Sequence, residues 1–324
     1  MKAIIPIAGI GTRLRPHTLL MPKVLINVGG KPIISYIIDH ALRYGIDEFA
    51  FIIGYRGEQI KEFIQSHYSI TYRFYEQHQI KGIAYAINLA EEFLRDEPVF
   101  IILGDTIFET DLTPVFKGAY SSLGVKTIED PLRFGIAIVD KDGFITSLVE
   151  KPAAPESNLA LVGLYYIKKG SDLKTAINEL LRRDIKTNEE YQITDALQIM
   201  INQGYKFRTF SVEGWYDCGK PETILSTNRY LLSQYHQTYN IETAVIRPPV
   251  LIAPDVTVEY SIIGPYVTIS RGAIIKNSII RNSIIGEAST IIDTFIKDSI
   301  IGNRATIKNS GNVYNVSDYC EVIL

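Results

Sequence analysis

Cysteine, histidine and any excess of positive charge are what this chain is short of. It holds two cysteines, Cys218 and Cys320, in 324 residues. Two thiols cannot build a disulfide framework, and with no CxxC pair no thiolate metal site is expected. Histidine occurs five times and for the last time at His236. Lysine and arginine total 33 against 36 acidic residues, a net charge of -3. That balance excludes the strongly basic footprint of a nucleic-acid binder, so any anionic partner must be held by local basic clusters. No run of about 18 apolar residues occurs, and no charged leader precedes an apolar stretch at the start. Membrane insertion and secretion are therefore not expected, and cytoplasmic residence is the default. The remaining composition, 46% apolar and 21% charged, is that of an ordinary soluble globular protein long enough for two domains.

What is present starts at the N-terminus. Lys2-Ala3-Ile4-Ile5-Pro6-Ile7 reads as the first buried strand of a parallel sheet. It runs straight into Ala8-Gly9-Ile10-Gly11-Thr12-Arg13-Leu14-Arg15-Pro16, followed by Met21-Pro22-Lys23. Glycines in such a loop let backbone N–H groups approach an anion, and Arg13, Arg15 and Lys23 add full positive charge beside them. A tight turn would use the same glycines. Walker A is excluded, because no Gly-Lys-Ser/Thr closes the loop, and the dinucleotide fingerprint fails at Leu14, where its third glycine belongs.

Apolar strands alternate with helical patterns as far as residue 103, which predicts a doubly wound, mostly parallel α/β sheet with helices on both faces. Val24 to Val28 reads as a short strand or extended segment ending in the Gly29-Gly30 turn, Ile83 to Leu94 as a helix. Ligands of such sheets bind beyond the carboxyl ends of the strands, where the Ala8 loop emerges. Ile101-Ile102-Leu103-Gly104-Asp105 puts a carboxylate on that same edge. Beside a triphosphate, Asp105 suits Mg²⁺, which takes one or two protein oxygens and fills the rest from phosphate and water; a turn or helix cap is its other reading. Gln77 carries the donor and acceptor that a pyrimidine edge needs, and Gly82 lets a base approach the backbone, though a polar strand-to-helix loop would look alike.

Gly-x-Gly-Thr-Arg-Leu-x-Pro, then Pro-Lys, after an N-terminal strand resembles the signature of the sugar-1-phosphate nucleotidylyltransferases, which make nucleoside-diphosphate sugars. The resemblance implies a Rossmann-like catalytic domain in which Ala8, Gly9, Gly11, Thr12, Arg13, Gln77 and Gly82 bind the nucleotide. It places the sugar phosphate on Gly135, Glu150, Lys151 and Tyr165, within Phe134-Gly135, Glu150-Lys151-Pro152 and Gly163-Leu164-Tyr165. Read blind, Glu150-Lys151-Pro152 is only a strand end with solvated charges. Asp217 in Trp215-Tyr216-Asp217-Cys218-Gly219 matches the family's second metal ligand, paired with Asp105. Tyr191-Gln192-Ile193-Thr194-Asp195 matches a family helix start, which capping by Thr194 or Asp195 accounts for without a ligand. Phe134 stands where the family has Tyr, and Ala8 where the thymidylyl branch has Gly.

From Pro248 the composition shifts to Ile, Val, Gly, Asn and Ser with a period of six, as at Ile263, Ile269 and Ile275 or Ile301 and Ile307. Hexapeptide periodicity predicts a left-handed parallel β-helix, in which each apolar residue stacks on its equivalent in the next coil. The expected division is a catalytic domain over 1–240 and a β-helix domain over 241–324. Acyl transfer on the β-helix lacks a base, since no histidine follows His236; a homo-oligomeric contact or a structural role remains. The expected reaction is transfer of a nucleoside monophosphate to a hexose 1-phosphate with release of pyrophosphate, with Arg13, Lys23 and Lys151 catalytic, Mg²⁺ on Asp105 and Asp217, and dTTP with glucose 1-phosphate ahead of UTP. A non-catalytic regulatory or assembly subunit is the alternative, against which the full set of five charged residues speaks.

Overall fold

A computed structural model describes residues 1–309, so Cys320 lies outside the described residues, while Cys218 is buried. The chain forms two compact units. One consists of Met1–Ile26 and Lys31–Ile224, the other of Asn27–Gly30 and the chain from Leu225 onward.

In the first unit, the strand Lys2–Pro6 lies between Glu48–Ile53 and Val99–Ile102, parallel to both, with Ile4 opposite Ala50 on one side and Ile101 on the other. Thr71–Glu76 extends the parallel part beyond Glu48–Ile53. Burial on both faces is why these strands read as unbroken apolar runs: Ala3, Ile4, Ile5 and all of Val99–Ile102 are fully buried. The connecting helix Ile33–Arg43 turns Ile33, Ile34, Ile37, Ile38 and Ala41 inward at a helical spacing. Beyond Val99–Ile102 the sheet changes character. Leu159–Ile167 joins it antiparallel, and the sheet reaches nine strands through Ser121–Thr127, Gly135–Val139, Ile145–Glu150 and Phe207–Ser211. The sheet is thus mixed, with its parallel, Rossmann-like half built from the first hundred residues.

The chain leaves Lys2–Pro6 in one direction, through Glu48–Ile53 to Thr71–Glu76, and then returns to lay Val99–Ile102 on the other side of its first strand. The loops after these two neighbouring strands diverge and open a crevice between them. They also touch at its floor. A Cβ on Gly104 would lie 2.1 Å from Ile7 Cγ2, so only glycine lets the two loops close up.

Two local expectations are corrected. Val24 to Val28 is not one strand: Lys23–Leu25 is a 3₁₀ turn closed by Leu25 N–H on Pro22 O and Ile26 N–H on Lys23 O, and only Asn27–Val28 is extended. The helix from Ile83 ends at Leu89, where Ala90 leaves helical geometry, and Glu91–Phe93 continues as a separate 3₁₀ turn.

The second unit is a left-handed parallel β-helix of three four-stranded parallel sheets taken in rotation. Ile263, Ile280 and Ile296 stack in register inside one face, Ile269 and Ile285 in the next, and Val258, Ile275 and Ile291 in the third. Corners carry left-handed residues, among them Asn277 and Asp293, whose side chains hydrogen-bond at 3.0 Å from coil to coil. The detached piece Asn27–Gly30 belongs here: Gly29 N–H donates to the buried Asn228 Oδ1 at 2.9 Å, the same oxygen that accepts from Thr268 Oγ at 2.7 Å.

Candidate active site

Two adjoining cavities of about 480 and 450 Å³ occupy the crevice at the switch point, and Arg13, Ile83, Leu103 and Asp105 line both. Ala8, Gly9, Gly11, Thr12, Arg13, Lys23, Gln77 and Gly82 line the first. Gly135, Glu150, Lys151, Tyr165 and Asp217 line the second. These residues therefore reach one continuous crevice, with the expected nucleotide set on one side and the expected sugar-phosphate set on the other, whereas Arg15, the third cation of the loop, is exposed and lines neither cavity.

The first cavity is shaped by the loop after strand one. Gly11 adopts φ +70° and starts a 3₁₀ turn over Thr12–Leu14, while Thr18 Oγ donates to Gly11 O at 2.8 Å and pins the turn. Gly82, at φ +101°, has a second reason to be glycine: a Cβ would sit 2.5 Å from Tyr191 O, so the Tyr191 backbone forbids a side chain. Gln77 donates to Gln79 O at 3.1 Å, which fixes its amide at the rim.

Asp105 and Asp217 meet through backbone pairing. Thr106–Glu109 and Gly214–Asp217 form an antiparallel pair with Asp217 opposite Thr106, and Cys218 N–H donates to Asp105 O at 3.1 Å. Asp217 Oδ1 accepts from Gly219 N–H at 2.8 Å. A methyl at Gly219 would lie 2.8 Å from Asp217 Oδ1 and 3.0 Å from Arg13 Nη2, so the carboxylate and the guanidinium converge over that glycine. Lys23 Nζ stands 3.2 Å from Asp105 Oδ2. Two carboxylates facing one crevice are a hard-oxygen donor pair, which fits Mg²⁺ and not a soft metal. Among the described residues no group of three or more His, Cys, Asp or Glu could hold a metal unaided, so the remaining ligands of any such ion must come from substrate or water. The Cys218 thiol is buried, with its sulfur 3.8 Å from Tyr216 O, and lines neither cavity.

In the second cavity Glu150 is held from two sides. Thr194 Oγ donates to Glu150 Oε2 at 2.8 Å, and Lys151 Nζ lies 3.5 Å from Oε1. Gly135 leaves room for this carboxylate, since a Cβ there would meet Glu150 Oε2 at 2.9 Å. Lys151 takes a left-handed φ of +43°, with its N–H on Phe134 O. Phe134 meets Trp215 edge-on at 4.9 Å, and the buried indole N–H of Trp215 has no partner among the described residues. Burial, and then the charges of Glu150 and Asp105, push the Tyr165 phenol up, so it stays protonated at neutral pH.

Thr194, expected with Asp195 as a helix cap and given no ligand role, is corrected by the structure. The helix runs Ile193–Asn202 behind Gln192 and has no side-chain cap, so the hydroxyl is free to orient Glu150. Arg133 and Lys220 also line the second cavity and add positive charge around it. Neither stood out, because a single basic residue beside a turn carries no spacing signal.

A mixed Rossmann-like sheet with a glycine-and-arginine loop at its switch point, faced by paired carboxylates, defines a class of proteins that handle phosphorylated nucleotides at the carboxyl edge of the sheet. The model of the family described as Nucleotidyl transferase matches residues 2–234. The low-salt glycan biosynthesis nucleotidyltransferase Agl11 of Haloferax volcanii is 33% identical over 95% of this chain and 94% of its own. A glucose-1-phosphate thymidylyltransferase of Streptomyces antibioticus is 29% identical over 91% of this chain and 81% of its own. A UDP-glucose pyrophosphorylase solved with UDP-glucose superposes with a TM-score of 0.64 at 25% identity, over 72% of this chain and 99% of that one. The chain belongs to the nucleotidyl transferase family, and the resemblance carried by the Gly-x-Gly-Thr-Arg-Leu and Pro-Lys motifs is borne out. No helix among the described residues is long and apolar enough to cross a membrane.

Proposed function

We propose that this protein is a cytoplasmic, Mg²⁺-dependent sugar-1-phosphate nucleotidylyltransferase that joins dTTP to glucose 1-phosphate and releases pyrophosphate. A phosphate oxygen of the sugar 1-phosphate attacks the α-phosphorus in line, the bond to the pyrophosphate oxygen breaks, and pyrophosphate leaves with both electrons of that bond. No covalent enzyme intermediate forms. Both substrates arrive strongly charged, so catalysis consists of positioning and charge neutralisation. Arg13 and Lys23 take up the charge of the leaving pyrophosphate, Lys151 aligns the attacking phosphate, and Glu150 receives the hexose hydroxyls. Asp105 and Asp217 would hold Mg²⁺, which supplies Lewis-acid stabilisation of the phosphate oxygens when bound. Residues 1–240 carry this chemistry, and the chain beyond them serves assembly into a homo-oligomer.

The observation that carries the reading is that Arg13 and Asp105 line both cavities, so that one cation and one carboxylate stand where two substrates would meet. Gln77 and Gly82 favour a pyrimidine, and thymine is put ahead of uracil on the thymidylyltransferase relative. UTP is the second reading, favoured by Ala8 and by the UDP-glucose-bound structural neighbour. Pyrophosphate release measured with each of five nucleoside triphosphates against several hexose 1-phosphates tests both. The expected result is turnover with one pyrimidine nucleotide well above the rest. No release with any pair overturns the reading.

A further inference from the structure

One face of the β-helix is built from Ala244–Ile246, Ser261–Ile263, Ile279–Arg281 and Phe295–Lys297. Their register sets Val245 beside Ile262, Ile262 beside Ile279 and Ile279 beside Phe295. Ile246, Ile263, Ile280 and Ile296, one residue further along each strand, point into the core. Alternation therefore turns the first four outward, as a straight row of large apolar side chains up the outside. Val245 is 54% exposed and Phe295 59%, and Ile262 and Ile279 are partly exposed. The other two faces differ. On the second, two of the four outward positions are covered within the same unit, Leu251 by Gly30 and Thr268 by Asn228, and Ile284 is buried. On the third, the outward row Thr257, Ile274, Thr290, Thr306 is mostly polar.

The two edges of the apolar face carry opposite charge. On one side of the outward row lie Glu242 and Thr243, Tyr260, Asn277 and Asp293; on the other, two residues beyond each outward side chain, lie Arg247, Gly264, Arg281 and Lys297. All of these but Gly264 are exposed. Lys297 lies 3.7 Å from Asp298 in its own chain, an exposed pair of little strength, so its ammonium can turn to a better partner.

We propose that this face pairs with the same face of a second copy of the chain, about a two-fold axis parallel to the axis of the β-helix. A self-complementary face has two ways to meet itself. With the axis along the strands, each edge lies on its own like, and Arg247, Arg281 and Lys297 confront the same three cations. With the axis along the β-helix, coil lies over coil and each edge over its opposite: Asp293 faces Lys297, Thr243 with Glu242 next to it in the turn faces Arg247, and the apolar rows meet on the axis. In the second coil Tyr260, 70% exposed, then lies over Gly264, where there is no side chain to collide with. That notch is fixed, because Gly264 sits at φ +104° and a Cβ there would lie 2.0 Å from Arg247 O. Charge and shape both select the parallel axis.

Four strands at about 4.8 Å spacing give a contact about 19 Å long. With three-residue strands about 10 Å long, the face covers about 200 Å², well below the roughly 800 Å² per partner of a standard interface, so dimerisation through it is concentration-dependent. The proposal rests on the homo-oligomer reading above and is independent of the nucleotidyl transfer.

Sedimentation equilibrium of the full chain over a wide concentration range tests it, with circular dichroism confirming that each variant is folded. Phe295 is an outward side chain, so Phe295→Glu leaves the core intact, and it is expected to weaken the dimer at least tenfold. Ile279→Lys serves as an independent probe of the same row. Arg247→Glu alone is expected to weaken the dimer. Combining it with Glu242→Lys is expected to restore it, because a parallel two-fold axis swaps both members of each pair. A dimer that Phe295→Glu and Ile279→Lys leave unmoved overturns this face while sparing the homo-oligomer reading. A trimer, or a charge swap that restores nothing, overturns the axis. A monomer at every concentration overturns both.

Discussion

Lys23 and Asp105, 82 residues apart in sequence, meet at 3.2 Å in the crevice between the first strand and its neighbour. The lysine is the more buried of the two, with its side chain 12% exposed against 47% for the aspartate. A cation proposed to act on pyrophosphate therefore first neutralises a proposed metal ligand. Any divalent ion that binds Asp105 must compete with that ammonium, and the ammonium so released is then available to the phosphates.

Lys23→Ala is accordingly expected to act in two directions. Turnover should fall by about a hundredfold or more, as when one preorganised charge is removed from a transition state. Binding of Mn²⁺ to the free protein, followed by its paramagnetic signal, should tighten, because the competing charge has gone. Weaker metal binding in this variant would contradict the competition.

Asp217→Asn should remove most turnover while leaving the melting temperature nearly unchanged, since its backbone pairing with Thr106 does not depend on charge. Steady-state rates over a Mg²⁺ titration, beside a thermal melt, check this. A variant with the parental rate would strip Asp217 of its metal role.

Thr194→Val deletes the hydrogen bond that orients Glu150 and keeps the side-chain volume. Losing one bond to a charged group at about 1.5 kcal/mol predicts a rise of about tenfold in the KM for the sugar phosphate. The KM for the nucleotide should not move. Lys151→Ala should raise the same KM and also lower kcat, because it removes the charge that aligns the attacking group. Equal effects on both substrates would show that these residues serve the fold and not the sugar side.

His40 predicts a pH dependence of stability. Burial, and then the nearby charge of Arg43, lower its pKa from 6.5, and its Nε2 is buried without a partner beside Phe108. A depressed histidine contributes stability that is present above 6.5 and is lost as the pH falls through the folded value, where the unfolded chain binds the proton more readily. The melting temperature should therefore drop on acidification below 6.5, and His40→Phe should flatten part of that slope. His17, lowered by burial as well, accounts for a further part. A parental slope in the His40 variant would exclude it as a contributor.

What could be read in the sequence was what local spacing encodes. The glycine-and-arginine loop, the Gly104-Asp105 turn at a strand end and the six-residue period after Pro248 each depend on neighbours in the chain, and each emerged in the expected element. Contacts made across the fold left no such mark. The hydrogen bond from Thr194 to Glu150 spans 44 residues, and nothing in Gln192-Ile193-Thr194 distinguishes a hydroxyl that grips a carboxylate from one that caps a helix. The second constraint on Gly82 was not legible, since the Tyr191 backbone that imposes it lies far along the chain. The switch from parallel to antiparallel pairing at Leu159–Ile167 was hidden for a related reason: a strand covered on both faces reads as the same apolar run in either direction.

The small excursion at Asn27–Gly30 has a practical result for anyone wishing to divide the molecule. The chain crosses from one unit to the other and back within its first tenth, so no single cut separates them. A fragment ending at residue 240 would retain Asn228 but strip Leu251 from Gly30 and Thr268 from Asn228, leaving those early residues with half their anchorage. Shortening this protein from its C-terminus is therefore also an operation on the segment that follows Lys23.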